Sequence, residues 1–127
     1  MRLDMVGIVV SDMAKAIEFY EVLGFKVIGD PKQAYVELTN QGVRISLNTR
    51  DMIAGIYGFV PESQGDKIEL AFLCETPAEV NEVTAAIKLA GYEVFKEPWD
   101  AFWGQRYVII KDLDGNLLSL FANLETD

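Results

Sequence analysis

The sequence predicts an α+β fold built from two βαβββ modules. Three observations carry this reading. The order strand, helix, strand, strand, strand is legible over residues 1–49, and it recurs over residues 66–127. Short stretches match between the two halves: Leu23-Gly24-Phe25-Lys26-Val27 resembles Ala90-Gly91-Tyr92-Glu93-Val94, and Gly42–Leu47 resembles Gly115–Leu120. The second half closes on a readable hairpin, with β-branched and apolar runs at Arg106–Lys111 and Asn116–Ala122 around Asp112-Leu-Asp-Gly-Asn116. Asp114-Gly115 is expected to supply the positive φ angles of that turn.

Taken in order, Arg2–Val10 is apolar and β-branched toward its end, and reads as a strand. Ser11 or Asp12 caps a helix over Met13–Leu23, with Met13, Ala16, Ile17, Tyr20 and Leu23 on one face. Gly24 stops it. Phe25–Ile28, Gln33–Thr39 and Val43–Asn48 read as three strands, parted by Gly29-Asp30-Pro31 and Asn40-Gln41-Gly42. Residues 50–65 read as a short helical turn followed by a loop, a linker placed to cover a site. Lys67–Cys74 is then a strand. Glu75-Thr76-Pro77 opens a helix over Ala78–Ala90, with Val80, Val83, Ile87 and Ala90 inward. Tyr92–Glu97 is a strand, and an irregular segment holding Trp99 and Trp103 leads into the hairpin. Two tryptophans beside Pro98 and Gly104 read either as a core plug or as the wall of an apolar pocket. Glu93, Lys96, Glu97 and Asp100 read as a solvated edge.

A chain of 127 residues, half of them apolar, fits one domain able to bury a core. Neither module is large enough to hold a core alone. The net charge of −9 argues against a nucleic-acid partner. It is compatible with a cationic ligand. The chain has no histidine, which removes histidine bases, Ser-His and Cys-His nucleophiles and histidine metal sites. Cys74, the single cysteine, ends an apolar run and reads as a buried small hydrophobe. No run approaches about 18 apolar residues. The N-terminus lacks the apolar stretch of a secretory leader, so a cytoplasmic protein without a membrane partner is expected.

The opening LDMVGIVVSDMAKAIEFYEVLGFKV resembles the first strand and helix of the vicinal-oxygen-chelate superfamily, which includes glyoxalase I, extradiol dioxygenases, fosfomycin-resistance enzymes and bleomycin-resistance proteins. WGQRYVIIKDLDGNLLSLF resembles that superfamily's end, where a D-P-D-G-N turn precedes the last strand; Leu113 stands at the proline position. The resemblance covers nearly the whole chain. It implies a glyoxalase-like incomplete barrel around a cavity, with modules that often pair across chains in a homodimer. Active members hold a divalent metal on the first and last strands of each half, through His, Glu or Gln. By the matching motifs those positions fall at Met5, Ser46, Glu69 and Ser119. One carboxylate and two hydroxyls fall short of a divalent site. No metal and no cofactor are therefore expected, and the resemblance is closest to the metal-free bleomycin-resistance-like branch.

If Ser46 and Ser119 face the cavity, strand alternation brings Arg44, Asn48, Leu117 and Phe121 to the same side, and Glu69 brings Lys67 and Ala71. The expected ligand-binding set is Met5, Arg44, Ser46, Glu69, Ser119 and Phe121, with Trp99 and Trp103 at the mouth. Arg106 joins if its register allows. Arg44 and Glu69 pair with each other, or Arg44 recognises an anion, or it lies at a solvated rim. The reading is a metal-free protein that binds a small, partly aromatic organic molecule, in its concrete form sequestering a cationic antibiotic. The enzyme alternative is a lyase or isomerase with Glu69 as a base raised by desolvation, and Arg44 or the serines at an oxyanion. A further alternative is a degenerate scaffold that binds a metabolite or partner without chemistry.

Overall fold

The computed structural model describes residues 1–62 and 68–124. The chain divides into two compact units, Met1–Ser63 and Gln64–Asp127. The first holds β1 (Met5–Val10), α1 (Met13–Val22), β2 (Val27–Ile28), β3 (Tyr35–Leu38), β4 (Arg44–Thr49) and α2 (Arg50–Tyr57). The second holds β5 (Leu70–Leu73), α3 (Pro77–Leu89), β6 (Glu93–Ala101), β7 (Gln105–Lys111) and β8 (Leu117–Asn123). The strand orders are β1-β4-β3-β2 and β5-β8-β7-β6. In each sheet the first and last strands pair in parallel, and the others antiparallel. The fold is α+β, two βαβββ modules with four-stranded mixed sheets, and neither sheet closes into a barrel.

Each module buries one sheet face. In the first, Ile8, Val10, Val36, Leu38, Ile45 and Leu47 alternate inward and are buried with Ala16, Ile17, Phe19 and Tyr20 of α1. In the second, Val108, Ile110, Leu118, Leu120 and Ala122 are buried with Val80, Thr84 and Ile87 of α3. Phe19 and Thr84 were missing from the predicted helix stripes. Thr84 is tolerated inside because its hydroxyl donates to the Val80 carbonyl at 2.7 Å. Asp12, rather than Ser11, caps α1 by accepting from Lys15 N, and Thr76 caps α3 by accepting from Glu79 N.

Several predicted boundaries move. Arg2–Asp4 precede β1, although the Asp4 carbonyl accepts from Arg44 N, and β2 is reduced to Val27–Ile28. Residues 50–57 form a full helix that packs on β4 and β1 and so belongs to the first unit. Lys67, the predicted start of β5, and residues 63–65 of the predicted linker lie outside the described residues. The largest change is at Trp99, which lies within β6 and not in an irregular segment. The strand absorbs its misfit as two register shifts, between Val94 and Lys96 and between Lys96 and Trp99. β6 is an edge strand, where Pro98 removes no ladder bond that the sheet needs. No helix among the described residues is long and apolar enough to cross a membrane.

The β7–β8 turn also differs from expectation, since Gly115 alone takes a positive φ, of +85°. The Asp112 carboxylate does the rest. It accepts from Asp114 N at 2.9 Å, Asn116 N at 2.8 Å and Asn116 Nδ2 at 2.8 Å while 6% exposed. Asp112→Ala is expected to lower stability by about 2 kcal/mol, because the turn loses a buried charged acceptor that holds three hydrogen bonds. A urea titration checks this: the midpoint should fall with an unchanged slope.

Candidate functional site

The face of each sheet turned away from α1 or α3 carries most of the residues that sequence reasoning singled out. In the first unit this face presents Met5, Gly7 and Val9 from β1, Arg44, Ser46 and Asn48 from β4, and Tyr35 and Glu37 from β3. These groups satisfy one another. The Tyr35 hydroxyl donates to Met5 Sδ at 3.2 Å, and Asn48 Nδ2 donates to Ser46 Oγ at 2.9 Å. Ser46 and Asn48 are both buried. Gly7 lies opposite Ser46, and a Cβ there would sit 2.9 Å from Asn48 Nδ2, so a side chain at this position would have to push the Asn48 amide aside. Arg44 pairs with Asp4 Oδ2 at 2.6 Å and Glu37 Oε1 at 2.8 Å, which raises its already high pKa. These two carboxylates engage the guanidinium that an anionic ligand would need, on a side chain that is half exposed, as at the solvated rim, one of its three readings.

The second unit is arranged differently. Its open face carries Ser119 and Phe121 of β8, Tyr107 of β7 and Trp99 of β6, with Glu69 just before β5 held to it by Tyr107. Tyr107 is the hub, and sequence reasoning missed it. Its ring lies 5.3 Å from Trp99, 5.3 Å from Trp103 and 6.0 Å from Phe121. Its hydroxyl donates to Glu69 Oε1 at 2.8 Å. Ser119 donates to that same hydroxyl, which makes a relay Ser119–Tyr107–Glu69 beneath the rings. The available signal was alternation: with Trp99 and Phe121 facing one way, the residue paired with both must face that way too.

Trp99 and Trp103 meet edge to face at 6.3 Å, and Phe102 meets Trp103 at 5.0 Å. Phe102 is 97% exposed and Trp103 48% exposed, so this cluster is a wall and not a core plug. Trp103 is held by its indole N–H, which donates to Gln105 Oε1 at 2.8 Å, while Gln105 Nε2 donates to Asn123 Oδ1 at 3.0 Å.

Two expected members behave otherwise. Arg106 lies on the α3 side of the sheet, opposite Ala122. It reaches Asn81 Oδ1 at 3.1 Å and Asp100 Oδ1 at 3.2 Å and does not join Ser119 and Phe121. Glu69 is exposed, so the desolvation on which the general-base reading depends is absent.

The four metal positions implied by the family do not fit a divalent ion. A thioether, two hydroxyls and one carboxylate are a poor mixed donor set, and each already has a protein partner: Tyr35, Asn48, Tyr107 and again Tyr107. No group of three or more Cys, Asp or Glu side chains among the described residues could hold an ion.

Paired βαβββ modules with polar positions on the inner strands define a glyoxalase-like fold. A family model of the Glyoxalase/Bleomycin resistance protein/Dioxygenase superfamily matches residues 2–120, and the chain belongs to that superfamily. Among solved structures it is similar to a glyoxalase/bleomycin resistance protein/dioxygenase family enzyme from Burkholderia phytofirmans PsJN, at 21% identity and a TM-score of 0.86, covering 98% of this chain and 100% of that one. A hypothetical protein from S. aureus is 22% identical with a TM-score of 0.84, over 96% and 94% of the two chains. Lactoylglutathione lyase from Agrobacterium tumefaciens is 16% identical with a TM-score of 0.70, over 95% and 92%. At these identities the likeness carries the fold alone. None of the curated proteins compared matches the chain.

Two titrations test the geometry. Burial raises the Tyr107 phenol, the Glu69 hydrogen bond and charge raise it further, and Ser119 acts in the opposite direction. Its stabilising contribution is therefore complete below the unfolded phenol's pKa of about 10, and fades as pH rises through the higher folded value. Absorbance at alkaline pH should show one tyrosine ionising late, and Glu69→Gln should bring it earlier; an unmoved midpoint would remove the hydrogen bond from consideration. The Cys74 thiol is pushed up to about 11 by burial, with the Glu79 charge adding to it. At pH 8 the thiolate is then about a thousandth of the total, so folded protein should react slowly with a disulfide reagent and denatured protein at once.

Proposed function

We propose that this superfamily member binds a small, partly aromatic, cationic organic molecule on the open face of its second sheet, without a metal. The observation that carries the reading is an aromatic cluster whose outer rings, Phe102 and Trp103, are exposed, with Trp99 half-buried behind them and the buried Tyr107 joining them to the carboxylate of Glu69. An aromatic surface offers stacking and cation–π attraction, and a carboxylate held at its base gives a cation a fixed counter-charge. Tyr107 holds only one Glu69 oxygen; the other accepts no hydrogen bond among the described residues. The net charge of −9 adds long-range attraction for a cation. Sequestration of an antibiotic, as in the bleomycin-resistance branch, is the concrete form, and it acts by mass action alone. A homodimer and a cytoplasmic location complete the proposal.

Trp99 and Trp103 are the only tryptophans, so intrinsic fluorescence reports on this face directly. Titration with bleomycin should give saturable quenching at stoichiometric levels, and divalent metals should give none. Trp103→Ala should weaken binding about tenfold or more, as for an aromatic anchor. Glu69→Gln should also weaken it, while Arg44→Ala, whose guanidinium is already taken, should leave it unchanged. Loss of binding in Arg44→Ala with retention in Glu69→Gln would overturn the cationic reading, and a metal-dependent change would overturn the metal-free one.

A further inference from the structure

The register of β6 places a basic residue on the aromatic face that simple alternation would not put there. Trp99 pairs with Tyr107, so an unbroken ladder would set Glu97 opposite Ile109, on the same side. The shift between Lys96 and Trp99 inserts one extra residue, and Lys96 takes that place instead. Ile109 pairs onward with Ser119, so Lys96 shares its face with Ser119, Tyr107 and Phe121. Two contacts agree. Lys96 Nζ lies 3.9 Å from the centre of the Trp99 ring, and Glu97 is turned to the helix side, where it meets Lys88 of α3 at 2.5 Å.

The open face therefore carries charge of both signs. Glu69 stands at the β5 edge of the sheet and Lys96 at the β6 edge, with the Tyr107 ring of β7 between them and the Trp99 ring beside Lys96 on β6. Lys96 makes no ion pair among the described residues, in contrast to Lys88 and Lys111, which meet Glu97 and Glu93. Trp99 holds the ammonium over its ring without neutralising it. We infer that Lys96 is a specificity-determining residue of this face. The ligand class is an elongated amphoteric aromatic, with a cationic group for Glu69 and an acidic group for Lys96, on strands about 14 Å apart by three strand spacings, a span the two side chains shorten by reaching inward. This rests on the aromatic-face reading above and adds to it the second, acidic end of the ligand.

The test uses three biphenyl probes and tryptophan fluorescence. One carries an aminomethyl group at one end and a carboxylate at the other; the second carries only the aminomethyl group and the third only the carboxylate. The amphoteric probe should bind about tenfold tighter than the amine, as one charge-assisted contact allows. Lys96→Met should erase that gain and leave the amine's affinity as it was, and Lys96→Arg should retain the gain. Lys96 is exposed on an edge strand, so both variants should keep the native circular dichroism. If the amine binds and the carboxylate adds nothing, or if the gain survives in Lys96→Met, the inference about Lys96 fails while the aromatic site stands. If neither the amine nor the amphoteric probe binds, both fail together.

Discussion

The register of the β7–β8 hairpin is the constraint on which the second unit depends. Asp112 and Gly115 fix the turn, and the ladder from Lys111↔Leu117 to Gln105↔Asn123 follows from it. That ladder sets Tyr107 beside Phe121 on one face, and Val108 beside Leu120 on the other. A slip of one residue would send Val108 and Ile110 to solvent and Tyr107 into α3, so the hydrophobic core and the aromatic wall are specified by the same pairing. The hydrogen bond from Tyr107 to Glu69 extends the arrangement across β8 to the start of β5. One turn thus positions both the rings and the charge beneath them.

The two open faces use their polar groups to opposite ends. On the first sheet they are spent on each other: Tyr35 on Met5, Asn48 on Ser46, and Asp4 with Glu37 on Arg44. Buried hydroxyls and amides need such partners, and a face whose donors and acceptors are already matched has little left for a ligand. On the second sheet the relay ends at an exposed carboxylate, and the outer rings, Phe102 and Trp103, stay open to solvent. Sequence repetition between the modules therefore coexists with a division of labour: Ser46 and Ser119 hold equivalent strand positions, yet one is closed by an amide and the other feeds a phenol.

Much of the fold was legible because it rests on periodicity and turn chemistry. The order of elements, both long helices and the closing hairpin follow from apolar spacing and from Gly, Asp and Pro placement. The site was legible only in part. Alternation placed Ser119, Phe121 and Glu69 together, and the local pattern marked Trp99 and Trp103. It did not disclose Tyr107, since an aromatic inside a β-branched run looks like core. It left three readings open for Arg44, whose partners Asp4 and Glu37 come from the residue before β1 and from another strand, a pairing set by tertiary structure. Lys96 was hidden for a different reason. A bulge changes which residues share a face without leaving a clear trace in composition, and Pro98 beside it reads equally well as a strand end.

The family's fold presents inward-facing positions on paired strands, and what those positions carry decides the chemistry. In this chain a thioether, two hydroxyls and a carboxylate occupy them, and every one is engaged by a neighbouring side chain. Replacing any single one with a better ligand would not create a metal site, because the neighbour it now satisfies would lose its partner. Turning these positions toward chelation would require changing Tyr35 and Asn48 on the first sheet and Tyr107 on the second along with the ligands. Recognition by rings and charge asks for less: the cluster around Tyr107 and the bulge at Lys96 can alter the ligand's shape and charge through single substitutions, while the turn at Asp112 holds the frame.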